Sequence, residues 1–317
     1  MKIGIPDALC NKKDKVLYET FFEGLKIEVI YSHPTTKQTL NDGIKRAIDE
    51  ECLASKIFLG HVEELAKRSK EEKIDYIFIP RICTFGNRKT VCVKFYALYD
   101  ICKNLFDQKM ITLNIDVDKK KGELQAFIML GKELGKSSSE SILSYIKAKQ
   151  KQKNVMLQRL KEQNNQILKE NMNILVVAHP YIYEDHYIGA PICNYLEKEG
   201  VHLVFADRNS SPFNKKDLKA YETISKSIYW KYNIDLLNGI VEYLEKVDGI
   251  LYLSVFPCGT DCLVNELAMR KIKEVPSINL ILDEQDGMAG VYTRLESFMD
   301  ILKMKKKKEK SGVYEKV

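Results

Sequence analysis

Short apolar runs rich in β-branched residues alternate along this chain with longer segments of helical periodicity. That alternation is the signature of sheets covered by helices on both faces. In the first half the runs fall at residues 2–5, 27–31, 76–80 and 111–115, with helices expected near 14–23, 39–47, 55–70 and 93–106. After Asn173 the alternation resumes, with strands at 174–178, 202–205, 249–255 and 278–282 and helices near 189–199, 216–227, 234–246, 262–273 and 293–303. Between the halves, Ser137-Ser138-Ser139-Glu140 opens a stretch rich in Lys, Gln and Asn in which Val155, Met156, Leu160, Ile167 and Leu168 keep helical spacing. Ser137-x-x-Glu140 fits a capping box, so one long amphipathic helix is expected there. At 317 residues the chain exceeds one ordinary core. The reading is an α/β chain with mostly parallel sheets: an N-terminal domain over 1–136, a helical connector over 137–172 and a C-terminal domain over 173–317.

Hydrophobic residues make up 45% of the chain and charged residues 30%, which excludes a disordered or fibrous class. No apolar run approaches the roughly 20 residues of a membrane helix, and Met1-Lys2-Ile3-Gly4-Ile5 opens on a strand rather than a signal peptide. A cytoplasmic protein without membrane contact is expected. Much of the net charge of +6 sits near residues 147–161 and 303–310. Such runs read as solvated faces, and no basic motif interleaved with aromatics points to nucleic acid. Neither GxxxxGK(S/T) nor GxGxxG joins a strand to a helix, so the standard phosphate and dinucleotide loops are missing; GxSxG and HExxH are missing too.

Eight cysteines remain to be explained, and in a reducing compartment metal ligation, catalysis or plain burial must do it. No CxxC is present, which argues against a zinc ribbon or a thioredoxin-type site. The run Leu251-Tyr252-Leu253-Ser254-Val255-Phe256-Pro257-Cys258-Gly259-Thr260-Asp261-Cys262 reads as a buried strand, a tight exit and a helix start with Asp261 as N-cap. It puts the Cys258 sulfur at the carboxyl end of a strand, where open α/β sheets bind ligands; a small buried thiol is the alternative. Cys83 and Cys92 flank a polar turn beyond the run at 76–80, and Cys52 precedes Gly60-His61. Thiols on separate loops suit an iron–sulfur cluster, because soft sulfur ligands select such metals; core cysteines are the other reading. Cys102 and Cys193 lie in apolar helices and are expected to be structural. Cys10 follows the first strand, and Cys262, one turn beyond Cys258, is either a further ligand or a serine-sized residue. His179-Pro180-Tyr181 and the carboxylates Asp283, Glu284 and Asp286, with Thr293-Arg294-Leu295-Glu296 as a capping-box match, follow later strands at the same kind of edge. They read as site residues, a partner surface or local caps.

Together, Lys2-Ile3-Gly4-Ile5-Pro6, Asp49-x-x-Cys52-x-x-x-Lys56-x-x-x-Gly60-His61, Ile77-Phe78-Ile79-Pro80-Arg81, His179-Pro180-Tyr181, Phe256-x-Cys258-Gly259-x-Asp261, Asp283-Glu284 and Ala289-Gly290-x-x-Thr293-Arg294-Leu295-Glu296 resemble the acyl-CoA dehydratase activase-related proteins. These belong with the subunits of 2-hydroxyacyl-CoA dehydratases and benzoyl-CoA reductases. The resemblance implies two Rossmann-like α/β domains and an iron–sulfur cluster of the 4Fe–4S kind held by Cys52, Cys92 and Cys258, with Cys83 and Cys262 in reserve. It departs from the family at Cys92-Val93, where a Cys-Pro pair is common, and at Cys262, where a serine is common. It also implies an ATP-hydrolysing activase as partner, with a second dehydratase-like subunit or a homodimer, and His179, Asp283, Glu284 and Arg294 at the site edge or partner surface. The activity implied is ATP-driven low-potential electron transfer or radical dehydration or reduction of an acyl-CoA or similar small molecule, by a lyase or reductase. The other reading is a non-catalytic electron-carrying or regulatory partner of such an enzyme.

Overall fold

The computed structural model describes residues 1–10, 12–87, 89–168, 170–214, 217–284 and 287–311. They form an α/β fold of two compact units. One comprises Met1–Arg159 with the segments Glu184–Tyr187 and Tyr229–Tyr232; the other comprises Leu160–Tyr183, Ile188–Ile228 and Asn233–Val317.

The first unit runs β1 (Lys2–Ile5), α1 (Lys12–Gly24), β2 (Glu28–Tyr31), α2 (Lys37–Arg46), α3 (Leu53–Arg68), β3 (Tyr76–Phe78), β4 (Arg81–Thr84), α4 (Val93–Leu105), β5 (Met110–Ile111), β6 (Asn114–Asp116), α5 (Glu123–Glu133) and α6 (Ser138–Gln166) as far as Arg159. Its sheet is parallel throughout, in the order β2-β1-β3-β5. The expected strand at 111–115 is divided in two. Ile77 pairs with Met110 and Ile82 with Ile115 at one constant offset, so β4 and β6 continue the β3–β5 ladder past Pro80, which has no N–H to donate. Phe21, Phe22, Phe78 and Phe127 fill the core, packed edge to face with centroids 4.6 Å apart for Phe21–Phe127 and 5.2 Å for Phe22–Phe78. The capping box forms as expected: Ser137 N–H donates to Glu140 and Glu140 N–H to the Ser137 hydroxyl.

The second unit takes the end of α6, then β7 (Met172–Val177), the single turn α7 (Pro180–Tyr183), α8 (Ala190–Lys198), β8 (Val201–Phe205), α9 (Lys231–Tyr243) from Asn233 on, β9 (Gly249–Val255), α10 (Gly259–Lys271), β10 (Ser277–Leu282) and α11 (Met288–Ser311). The sheet is again parallel, in the order β10-β9-β7-β8. All seven residues of β9 are buried, as a strand covered on both faces requires, and this explains why its sequence is an unbroken apolar run. At the edge of β8, the Gln163 side chain accepts from Phe205 N–H and donates to the Phe205 and Arg208 carbonyls, so it pairs backbone that would otherwise face an open edge.

Two expected helices differ. Within 216–227 the described residues form a 3₁₀ segment over Asp217–Thr223, Lys216 lying outside them; the Asn238 side chain takes the Tyr221 N–H that an α-helix would use. The last helix begins at Met288, so Thr293 sits inside it and donates to the Ala289 carbonyl instead of capping. No helix among the described residues is long and apolar enough to cross a membrane.

In each unit the first strand lies inside the sheet, and the chain leaves it toward one side and returns on the other. Such an order opens a crevice at the carboxyl ends of the two central strands, β1 and β3 in one unit and β7 and β9 in the other.

The α2–α3 contact depends on two glycines. A methyl group on Gly43 would lie 1.7 Å from the Lys56 carbonyl oxygen, and one on Gly60 would lie 1.9 Å from that of Thr39. Gly60→Ala is expected to lower stability by about 1–3 kcal/mol, the range for overpacking, read as a lower urea midpoint at unchanged slope.

Candidate functional site

At the crevice of the second unit, His179 lies two residues beyond β7, and Cys258 and Asp261 follow β9. Cys258 occupies the N-cap of α10 without capping it through its side chain. Asp261, expected as the cap, is instead in the first helical turn, because its carboxylate is turned into the protein: Oδ1 accepts from Asn233 Nδ2 at 2.7 Å and lies 3.0 Å from His179 Nε2. Asp261 is 4% exposed and His179 7%. Burial alone would lower the His179 pKa, but the Asp261 charge and hydrogen bond, with Asp207 and Asp235 further off, outweigh it and hold the imidazole above its ordinary value. Burial would likewise raise Asp261, yet the His179 charge and hydrogen bonds from His179, Asn233 and Cys258 keep its carboxyl below the usual range. Both shifts favour the charged forms, an imidazolium facing a carboxylate. Tyr181 stacks on the His179 ring at 5.2 Å, and the Cys258 sulfur lies 3.4 Å from the Thr260 hydroxyl.

The first unit places Cys52 and Cys92 at the N-caps of α3 and α4, again with no side-chain capping bond. Both thiols are half-buried. Cys83 is on β4, and its carbonyl accepts from Val91 N–H, next to Cys92. Burial and then the Asp116 carboxylate push the Cys83 thiol up; burial and then Asp261 do the same to Cys262, which lies one turn inside α10. Cys102 and Cys193 are buried, with thiols pushed up to about 12 by desolvation. Burial, followed by the charge of Asp14, also raises the Cys10 thiol. Among the described residues, no three His, Cys, Asp or Glu side chains are grouped closely enough to hold a metal ion.

A second buried histidine was not read from the sequence as a centre of its own. His61 Nδ1 lies 2.7 Å from the Ser32 hydroxyl and Nε2 2.9 Å from that of Thr35, which donates to the Asp185 carboxylate at 2.5 Å. Since the Thr35 proton goes to Asp185, its oxygen must accept from Nε2–H. Nδ1 then accepts from Ser32, whose oxygen takes the Asp7 N–H. Every group is satisfied with the imidazole neutral, and burial lowers the His61 pKa despite the opposing carboxylate of Asp185. Asn233 was also missed, as a polar residue inside an apolar helical stretch carries no signal of its partner.

Beyond β10, Glu284 N–H donates to Asp283 Oδ1 at 2.6 Å, and exposed Arg294 donates to the Asn279 carbonyl at 2.7 Å. Asp286, the third carboxylate of that loop, lies outside the described residues.

Over residues 2–208, more than half its length, the chain matches the model of the CoA enzyme activase uncharacterised domain (DUF2229). The chain belongs to this family. No curated protein matches it. Solved structures similar to this CoA enzyme activase-family chain include the nickel-complexed solute-binding protein FpvC of Pseudomonas aeruginosa (11% identity, 100% of this chain and 99% of that one, TM-score 0.31). A mutant of the same protein aligns at 11% identity over 88% and 89% with a TM-score of 0.27. A periplasmic solute-binding protein of Actinobacillus succinogenes with bound D-allose aligns at 10% identity over 90% and 97% with a TM-score of 0.22. Scores this low carry no argument about fold or function.

Asp261→Ala removes the buried acceptor shared by His179 Nε2 and Asn233 Nδ2, and a loss of about 1–3 kcal/mol is expected for the donors left unpaired, measured by denaturant unfolding. For His61 the sign is opposite to that of a paired histidine. Its folded pKa lies below the ordinary 6.5, so its contribution is complete above that value and is lost as pH falls below it. Stability in that range should drop by up to about 1.4 kcal/mol per pH unit more in the natural protein than in His61→Gln. Parallel curves would contradict the neutral assignment.

Proposed function

We propose that this CoA enzyme activase-family chain is an iron–sulfur protein that takes part in ATP-driven low-potential electron transfer, or in radical dehydration or reduction of an acyl-CoA or similar small molecule. The similarity to 2-hydroxyacyl-CoA dehydratase and benzoyl-CoA reductase subunits suggests the chemistry. One structural observation carries the reading: Cys92 and Cys258 occupy the same topological position in the two units. Each is the N-cap of the helix that leads from the third strand of a sheet to the fourth, at its carboxyl edge. Cys52 caps the preceding helix of the first unit in the same manner.

Thiolates are the donor type such a group takes, while no three candidate ligands are grouped among the described residues. Three half-buried thiols stand at helix N-termini without making capping bonds, where the helix dipole suits an anionic thiolate–metal assembly. A bound 4Fe–4S cluster would supply one-electron transfer. Cys52 and Cys92 in the first unit and Cys258 in the second are the proposed ligands. His179 and Asp261 fix a buried pair of opposite charges beside Cys258, and Tyr181 covers the imidazole. Cys83 on β4 has its thiol against Asp116, and Cys262 in the first turn of α10 has its thiol against Ser254. Membership of an activase family favours, within this reading, an accessory part: an electron-carrying or regulatory protein working with a separate ATP-hydrolysing partner and, by the same similarity, a dehydratase-like subunit.

Protein purified anaerobically is expected to be brown and to contain iron and acid-labile sulfide in near-equal amounts. Cys52→Ala and Cys258→Ala should lose iron, while Cys102→Ala and Cys193→Ala keep it. Zinc alone, no metal after reconstitution, or equal loss in all four variants would refute the assignment.

A further inference from the structure

Cys52 and Cys92 belong to two different helices, and one side chain ties the starts of those helices together. Lys94, in the first turn of α4 and two residues beyond Cys92, donates its ammonium to the Glu50 carbonyl. The same ammonium lies 3.6 Å from Glu51 Oε2. Glu50 and Glu51 immediately precede Cys52, the N-cap of α3. The Glu51 side chain is 12% exposed, and its Oε2 is buried without a hydrogen bond, so the Lys94 charge is what stands against that carboxylate. Lys94 itself is one-third exposed at 33%, its stem lying along the protein and its head turned back to the Cys52 loop.

We propose that Lys94 is a positioning residue that clamps the N-termini of α3 and α4 and thereby holds Cys52 and Cys92 as one two-thiol site. Its purpose rests on the reading of these thiols as cluster ligands; the clamp itself operates in the metal-free chain. Two features make a lysine suited to the place. Its single flexible stem can reach a carbonyl and a carboxylate on another element at once. Its positive charge adds to those of the two helix N-termini, which favours an anionic assembly beside them. Arg can carry out the same bridging with a planar head, whereas a neutral side chain of similar length cannot.

The test uses the full-length, reduced, iron-free chain and the bifunctional thiol reagent dibromobimane, which becomes fluorescent once both arms have reacted. Peptide mapping identifies the sulfurs joined. The expected result is a Cys52–Cys92 cross-link in the natural protein, formed about two- to fivefold more slowly in Lys94→Met, as befits a partly exposed ion pair. Lys94→Arg should restore most of the rate. Far-ultraviolet circular dichroism checks that the variants are folded; if Lys94→Met is not, Glu51→Gln, which removes only the carboxylate charge, should show the same direction of change. Absence of a Cys52–Cys92 product in the natural protein overturns the proposal, as do equal rates in a folded Lys94→Met. Iron analysis separates the two claims. A chain that cross-links in a Lys94-dependent way yet holds no iron refutes the cluster and leaves the clamp, whereas an iron-holding chain indifferent to Lys94 refutes the clamp alone.

Discussion

A parallel sheet whose first strand is interior leaves its chain only one accessible place for chemistry, and both units obey that constraint. The interior strand β9 is buried along its whole length, so its side chains serve packing and none is available to a ligand. The strand ends are different. At the carboxyl edge the chain must turn, expose backbone and begin a helix, and in each unit the two central strands diverge there because their connections run to opposite sides. Cys258 starts the helix that follows β9, and Cys92 starts the helix that follows β4, the continuation of the β3 ladder. The position of these thiols thus follows from topology and not from any local cysteine motif.

The two buried histidines show how small a change sets a protonation state. His179 meets a carboxylate directly at 3.0 Å, and in a poorly solvated place this direct contact stabilises the imidazolium enough to overcome burial. His61 meets its carboxylate only through the Thr35 hydroxyl, and burial prevails. One hydroxyl between ring and carboxylate converts a charged pair into a neutral, directed chain of hydrogen bonds. A buried ion pair such as His179–Asp261 contributes little net stability, because desolvation offsets attraction, but it is strongly destabilising once half of it is removed.

The fold was legible because its signals are local. The runs at 2–5 and 249–255 coincide with β1 and β9 residue for residue, and Ser137-x-x-Glu140 capped α6 as its pattern predicts. Errors arose where a distant side chain intervened. Asn238 took the Tyr221 N–H and turned an expected α-helix into a 3₁₀ segment. His179 and Asn233 drew the Asp261 carboxylate inward, leaving the N-cap to Cys258. Thr293-Arg294-Leu295-Glu296 matches a capping box that the earlier start of α11 makes redundant. Of the site, the cysteines and His179 were visible as chemistry at strand ends. Asn233, Lys94 and the Ser32–His61–Thr35 chain were not, because their roles exist only through partners remote in sequence.

We propose that the thiols at the N-cap positions of α3, α4 and α10 hold sulfide-bridged iron. Mössbauer spectroscopy of full-length protein, grown on enriched iron and kept anaerobic, tests it most directly, since it reports the chemical state of all the iron present. Nearly all the iron is expected as sulfide-bridged, thiolate-ligated centres, and Cys258→Ala is expected to remove that component. Iron found only as isolated or adventitious ferrous or ferric ions, or a sulfide-bridged component of equal size in Cys258→Ala, would contradict it.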